Sequence, residues 1–287
     1  MKLNDSRSRI TNIAAYTFVA MEEEELHDLR KALKSDAANR KLLGTLLLSP
    51  EGINLSLSGT DPQIQAFWRF LTSKPKFADL DKKVSYSAVQ PFKHLYVKLR
   101  KEIITMGHTD TKPENDKNHR MSPAELKKWF DEKKDFTLLD TRNDYEINIG
   151  TFKGARVLNI QSFREFPKAA VENLGKELHQ KPLVMFCTGG IRCEKASLFL
   201  QSQGFRDVYQ LNGGILRYFE EVGATHFQGE CFVFDDRVAV NAALQPTGAV
   251  LCQNCQMPLT VEQQASSDYV PGGTCPYCRE STPHAST

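Results

Sequence analysis

The sequence predicts an α/β protein in three units, and three observations carry that prediction. Strand-like and helix-like stretches alternate over the first hundred residues and again from residue 119. A polar stretch at Gly107–Asn118, with Pro113 and several charges, reads as a linker between them. From about Gly229 the pattern loosens into a tail carrying two Cys-x-x-Cys pairs. The expected units are therefore residues 1–105, 119–228 and 229–287, with a linker over 106–118. A chain of 287 residues, 40% hydrophobic and 25% charged, can bury several cores and has an ordinary globular composition. Its net charge of +2 neither demands nor excludes a nucleic-acid partner.

In the first unit, Asn12 to Ala20 is β-rich. Glu22 to Lys41 has helical spacing at Leu26, Leu29 and Leu33, with acidic residues where the helix dipole favours them. Leu42 to Leu48 reads as a buried strand, and Pro50-Glu51-Gly52 as a turn. Ile53 to Ser58 alternates apolar and polar residues, the pattern of a half-buried strand. Asp61 is expected to cap a second helix with Pro62 at its first position and Ile64, Phe67, Trp68 and Leu71 on its apolar face. Val84–Val89 and Phe92–Leu99 are strands again. Strand-helix-strand-strand-helix-strand is the order of a ferredoxin-like (acylphosphatase-like) α+β sandwich. In the last strand, Leu95, Val97 and Leu99 share one face and His94, Tyr96, Lys98 and Arg100 the other. That second face is either an ordinary solvated surface or a place where phosphates and bases can be held.

The second unit opens on Ser122-Pro123-Ala124-Glu125, a helix start with its cap, proline and glutamate in place. Thr137–Leu139 and Leu183–Phe186 are short buried strands, Cys193–Gln203 is a helix ended by Gly204, and Val208–Leu211 is a further strand. Strands alternating with helices imply a central parallel α/β domain, its sheet covered on both faces.

The strand 183–186 runs directly into Cys187-Thr188-Gly189-Gly190-Ile191-Arg192. Open α/β sheets place their sites at the carboxyl ends of strands. Gly189 and Gly190 let successive N–H groups turn inward as an anion nest, and the next helix points its positive end at the same spot. With Arg192 adding a permanent charge, these features make Cys187 a nucleophilic thiolate in a cradle formed by Thr188, Gly189, Gly190 and Ile191. Only four residues separate Cys187 from Arg192, a loop suited to one added atom on sulfur rather than to a phosphoryl group. The alternative is a buried cysteine in a glycine-rich turn. Cys193 can resolve an oxidised Cys187 or simply fill core space, and Cys231 reads as packing, with a redox role as the alternative.

In the tail, nineteen residues separate the Cys252/Cys255 pair from Cys275/Cys278. Four thiolates at that spacing can close a tetrahedral structural zinc site in a zinc-ribbon-like module too short to fold on its own core. An Fe–S cluster or redox-active dithiols are the alternatives. Seven cysteines, an odd number, argue against a disulfide framework. No apolar run is long enough to span a membrane, and Met1–Arg9 lacks the apolar core of a signal peptide, so a cytoplasmic protein without membrane association is expected. Glu280–Thr287 reads as disordered.

Leu138-Leu139-Asp140-Thr141-Arg142, Tyr145-Glu146 and Gly150-Thr151-Phe152-Lys153-Gly154-Ala155 resemble the upstream signature of the rhodanese superfamily, over roughly residues 119 to 222. Asn148-Ile149-Gly150-Thr151 departs from it, standing where many members have a Gly-His pair. Asp140 and Arg142 are expected to form a structural pair at the sheet end. The loop and helix start Cys187–Ala196, together with Pro50–Asn54, Gly229–Val238 and the four-cysteine tail, is similar to the rhodanese-related tRNA uridine hydroxylase family across nearly the whole chain. That resemblance implies a tRNA substrate, no DNA partner, and oxygen-dependent conversion of the wobble uridine to 5-hydroxyuridine, with Cys187 as the essential cysteine. It leaves the electron donor and the oligomeric state open. Cys187 is expected either to add to C6 of the uracil or to carry activated oxygen or sulfur as a sulfenate or persulfide, and in both cases Arg192 and the loop amides are expected to act in catalysis by stabilising negative charge. His94, Tyr96, Lys98 and Arg100 are the candidates for tRNA contact. Neither an iron site of two histidines and a carboxylate nor a flavin fingerprint is visible. A sulfurtransferase working through a Cys187 persulfide is the competing expectation, and a non-catalytic tRNA-binding module the third.

Overall fold

The computed structural model describes residues 9–108, 113 and 119–280. The expectations for the polar N-terminus, for most of the linker and for the tail beyond residue 280 lie outside the described residues, whereas Glu280, expected to begin the disordered tail, ends a helix over Pro276–Glu280.

The N-terminal unit runs β1 (Ile10–Phe18), α1 (Glu23–Asn39), β2 (Leu43–Ser49), β3 (Gly52–Gly59), α2 (Asp61–Thr72), β4 (Lys82–Ser87) and β5 (Leu95–Leu99). Its sheet has the order β4-β1-β3-β2-β5. The first four strands form the antiparallel ferredoxin-like arrangement, and β5 adds a fifth strand parallel to β2. The alternation in the sequence sorts the two faces. Leu46, Leu48, Ile53, Leu55 and Leu57 pack with Leu26, Leu29, Leu33, Ile64, Phe67 and Leu71 of the helices in one core. The other face is largely polar, because cross-strand register aligns Lys83, Ala14, Ser56, Thr45 and Tyr96 in one row and Tyr16, Asn54, Leu47 and Lys98 in the next. One expectation is corrected. The cap of α2 is Thr60, not Asp61, so Pro62 is the second helical residue rather than the first: Thr60 is the last extended residue, and its N–H donates to the Gln63 side chain at 2.8 Å.

The central unit runs β6 (His119–Met121), α3 (Pro123–Asp131), β7 (Thr137–Asp140), α4 (Asp144–Ile147), β8 (Gly150–Phe152), α5 (Phe166–Asn173), β9 (Leu183–Phe186), α6 (Ile191–Ser202), β10 (Val208–Leu211) and α7 (Gly214–Val222). Strands β6-β10-β9-β7 form a parallel sheet. Each face of that sheet has its own core, one with α5 and α6, the other with α3 and α7. All four residues of β9 are buried, which is why its sequence is continuously apolar rather than alternating. Residues Phe227–Gly229 pair with β8, and Cys231–Phe232 pair with Ala239–Val240.

Side chains join the two units. Lys195 of α6 is fully buried and pairs with Glu51, from the turn between β2 and β3, and with Glu102, both at 2.7 Å. Tyr16 donates to Glu194 at 3.0 Å. The segment after residue 230 crosses over as well: Arg237 donates to Ser85 at 2.7 Å, and the Asp236 N–H to the Pro91 carbonyl at 2.9 Å. No helix among the described residues is long and apolar enough to cross a membrane.

Candidate active site

Cys187 sits at the carboxyl end of β9, a central strand, and α6 starts four residues later. Gly190 caps α6 at φ +102°, a conformation that only glycine adopts without strain. That turn aims the Gly190 N–H at the Cys187 sulfur, 3.1 Å away. Burial by itself pushes the thiol up. Hydrogen bonding from Cys193, the Arg192 charge and the N–H groups of Arg192 and Gly190 together outweigh it and bring Cys187 down to about 5. Sulfur is therefore ionised at neutral pH. Cys193 is the other half of this balance, its own thiol pushed up by burial and by the thiolate it serves. The loop is held from behind by α7, whose Ile215 and Leu216 N–H groups donate to the carbonyls of Cys187 and Thr188 at 3.0 and 3.1 Å.

Arg192 does more than close the loop. Its fork grips the buried carboxylate of Glu146 at 2.5 and 2.7 Å, and Thr188 donates to the same carboxylate at 3.2 Å. Glu146 stays ionised despite complete burial because Arg192, Arg142 and the Asn143 N–H offset the desolvation. In the sequence, Glu146 is legible only as part of a motif. The signal that could have singled it out is its place three residues after Asn143, the acidic partner of a capping box. Asp140 and Arg142 form a fully buried bidentate pair at 2.7 and 3.0 Å. Arg142 also donates to the Gly150 carbonyl, and Thr151 donates to Asp140, both at 2.7 Å. The departure at Gly150-Thr151 thus completes this network. Cys231 is buried and its thiol pushed up to about 12 by that burial, consistent with packing.

A cavity of about 610 Å³ lies between the Cys187 loop and the polar face of the N-terminal sheet. Cys187, Thr188, Gly189, Ile191 and Arg192 border it from one side, Tyr16, Asn54, Ser56 and Lys83 from the other. Phe234, an exposed aromatic, and the Asp235–Arg237 pair close one flank. The Tyr16 hydroxyl packs so close to the loop that a Cβ on Gly190 would lie 2.8 Å from it. Cys187 itself has no exposed surface, whereas nothing lies within 4 Å of where a Gly189 Cβ would be. The open side of the loop is therefore at Gly189. Of the four strand residues expected to meet tRNA, Arg100 borders this cavity. His94 and Tyr96 are exposed and in ring contact at 5.8 Å, with Lys98 lying 4.5 Å from the Tyr96 ring centre. Sequence reasoning missed Tyr16, Lys83 and Phe234. Tyr16 and Lys83 carry no local mark and reach the cavity only through the packing of the units, whereas Phe234 lies within the Gly229–Val238 stretch without being singled out there.

The four tail cysteines converge, their sulfurs all within 4.8 Å of one another. Three sulfur pairs stand 3.5, 3.6 and 3.7 Å apart. Four sulfurs about 2.3 Å from a central ion in a tetrahedron would be separated by about 3.8 Å, so the cluster can hold a metal ion.

Two family models match the chain. One, described as a "UPF0176 acylphosphatase like domain", covers residues 10–103, and a "Rhodanese-like domain" covers residues 122–221. Among similar proteins, one from Ralstonia nicotianae is 46% identical over 284 residues, covering 97% of this chain and 100% of its own length. One from Cupriavidus taiwanensis is 46% identical over 94% of this chain and 96% of its own length. One from Picosynechococcus is 48% identical over 85% of this chain and 82% of its own length. Each of these three carries the name "tRNA uridine(34) hydroxylase".

Proposed function

The chain belongs to the tRNA uridine(34) hydroxylase family, and from that premise we propose how its residues serve the reaction. It is a tRNA-modifying oxidoreductase with a rhodanese domain, and its substrate is tRNA. The position modified is C5 of the uracil, with molecular oxygen as co-substrate. Cys187 is the nucleophile. The observation that carries this role is the Cys187 sulfur, held 3.1 Å from the Gly190 N–H at the start of α6, bordering a cavity large enough for a nucleoside. Addition of the thiolate to C6 of the uracil makes C5 electron-rich, which is what attack on an oxidant requires. Because Cys187 is covered, the base reaches it as the loop yields on the open Gly189 side. Phe234 offers a ring on which the base can stack, and β5 with Tyr96 and Lys98, followed by Arg100, a surface along which the anticodon backbone can lie. The four-cysteine cluster holds a structural zinc ion, with no ligand position left for chemistry.

Nucleoside mass spectrometry of tRNA from cells carrying Cys187→Ser tests the role of the thiolate. The expected result is loss of 5-hydroxyuridine at position 34, and undiminished modification would remove Cys187 from the mechanism. Slow or absent turnover of thiosulfate with cyanide is expected in parallel; brisk turnover would instead favour sulfur transfer through a Cys187 persulfide.

A further inference from the structure

Any addition to the uracil leaves negative charge to be stabilised, and the cation that the loop itself supplies is committed elsewhere. The thiolate forms a bond to C6, the C5–C6 π pair moves toward the C4 carbonyl, and charge collects on O4. Arg192, on the loop, has both ends of its fork on Glu146 at 2.5 and 2.7 Å. Arg237, across the cavity, is bound by Asp235 at 2.6 and 2.8 Å. Arg100 and Arg164 border the cavity too, but both are exposed, so water already screens their charge.

Lys83 is placed differently. It stands on β4 opposite Ala14, on the sheet face turned toward the Cys187 loop, and it borders the same cavity as Cys187. It is half-buried, yet its side chain has no hydrogen bond or ion pair among the described residues. Its Nζ lies 5.4 Å from the centre of the Tyr16 ring, and that tyrosine's hydroxyl abuts Gly190 of the loop. Desolvation and the Arg217 charge disfavour the ammonium, while Asp81, Cys187 and Glu220 favour it. An ammonium held short of solvent and short of a partner gains most when a new anion arrives beside it.

We propose that Lys83 of the N-terminal unit is a catalytic residue of this site, pairing with the oxyanion that forms on O4 of the uracil when Cys187 adds to C6. The inference rests on the reading of Cys187 as the nucleophile on the base. It gives the N-terminal sheet a chemical part in the reaction in addition to holding tRNA.

The addition can be read without oxygen. Taking a deuteron at C5 from solvent, losing the original C5 proton and expelling the thiolate returns uridine with deuterium at C5, and no oxidant or reductant is consumed. Full-length enzyme, anaerobic, in deuterated buffer with a tRNA bearing uridine 34, is followed by mass spectrometry of the nucleosides. Wild type is expected to exchange the C5 hydrogen. Lys83→Met is expected to slow exchange at saturating tRNA by about 100-fold, with KM changed less than about threefold. Lys83→Arg, which keeps the charge, is expected to restore about a tenth or more of the wild-type rate. Lys83→Gln replaces Lys83→Met if the latter melts early. Exchange by Lys83→Met at the wild-type rate overturns the inference and leaves the addition standing. A raised KM with unchanged maximal rate also overturns it, assigning Lys83 to a tRNA phosphate. No exchange by wild type, alongside an inactive Cys187→Ser, overturns the addition and the oxyanion with it.

Discussion

At Cys187, burial and ionisation pull in opposite directions, and short-range contacts decide the balance. The Cys193 thiol, the Arg192 charge and the N–H groups of Arg192 and Gly190 overcome desolvation, so the thiolate is the form present above about pH 5. The folded value lies below the ordinary thiol value of 9.0, so thiolate is lost only as pH falls through about 5. The far-ultraviolet thiolate absorbance missing from Cys187→Ser should therefore titrate in wild type with a midpoint near 5. Cys193→Ala removes a donor to a charged acceptor, and the midpoint should rise by about one to two units. An unmoved midpoint would leave Cys193 with packing or resolving chemistry alone. The sequence makes Cys187 and its glycines plain, since loop residues are contiguous. Glu146 is harder to read because its partners Arg192 and Thr188 lie 46 and 42 residues away along the chain.

The elements that shape the site are β9, which delivers the sulfur, α6, which aims its N-terminus at it, and α7, which grips the loop's carbonyls. Gly214 begins α7 at φ +65°, and a Cβ there would collide with the carbonyl oxygen of Cys187. The close approach of α7 to the loop depends on that absent side chain. The tail is held in a different way. Its small core of fully buried residues comprises Cys252, Leu259 and Cys275, too little apolar surface to fold the module alone. A bound structural metal in such a module contributes about 10–16 kcal/mol. Elemental analysis should find one zinc per chain. Removing it with a chelator should abolish hydrogen-exchange protection between residues 250 and 278 while leaving β7, β9 and β10 protected. Protection retained in the stripped tail would show that the module folds without metal.

Across the whole molecule, the cavity bordered by Cys187 is formed where two units are clamped face to face. The clamp is Lys195 with Glu51 and Glu102, the lysine fully enclosed between them. Burial drives Glu51 up, whereas Glu102, also accepting the N–H groups of Met106 and Gly107, is held down. Lys195→Met would leave two carboxylates without their cation, a loss of about 3–5 kcal/mol. The melting temperature should fall by roughly 10 °C, and adding Glu51→Gln with Glu102→Gln should recover part of it. Equal melting of Lys195→Met and wild type would show that the clamp carries little of the interface. Pro50–Asn54, which alone reads as a turn, acquires its purpose here: it presents Glu51 to Lys195 and lets Asn54 donate to the Ile103 carbonyl at 3.0 Å.

Features written in neighbouring residues could be read from the chain alone. The ferredoxin-like order, the parallel sheet, the thiolate loop and the paired cysteines all follow from periodicity, glycine placement and spacing over a few residues. The parallel place of β5 beside β2 and the Thr60 cap needed the backbone itself, since a pairing edge and the last extended residue are not encoded by composition. That Lys83, without an ion pair among the described residues, borders the same cavity as Cys187 emerged from the packing of the units. Arg192 is claimed by Glu146, and Lys83 arrives from more than a hundred residues upstream. Electrostatic and steric contacts act over ångströms in space, and the docking of two units sets those distances independently of separation along the chain.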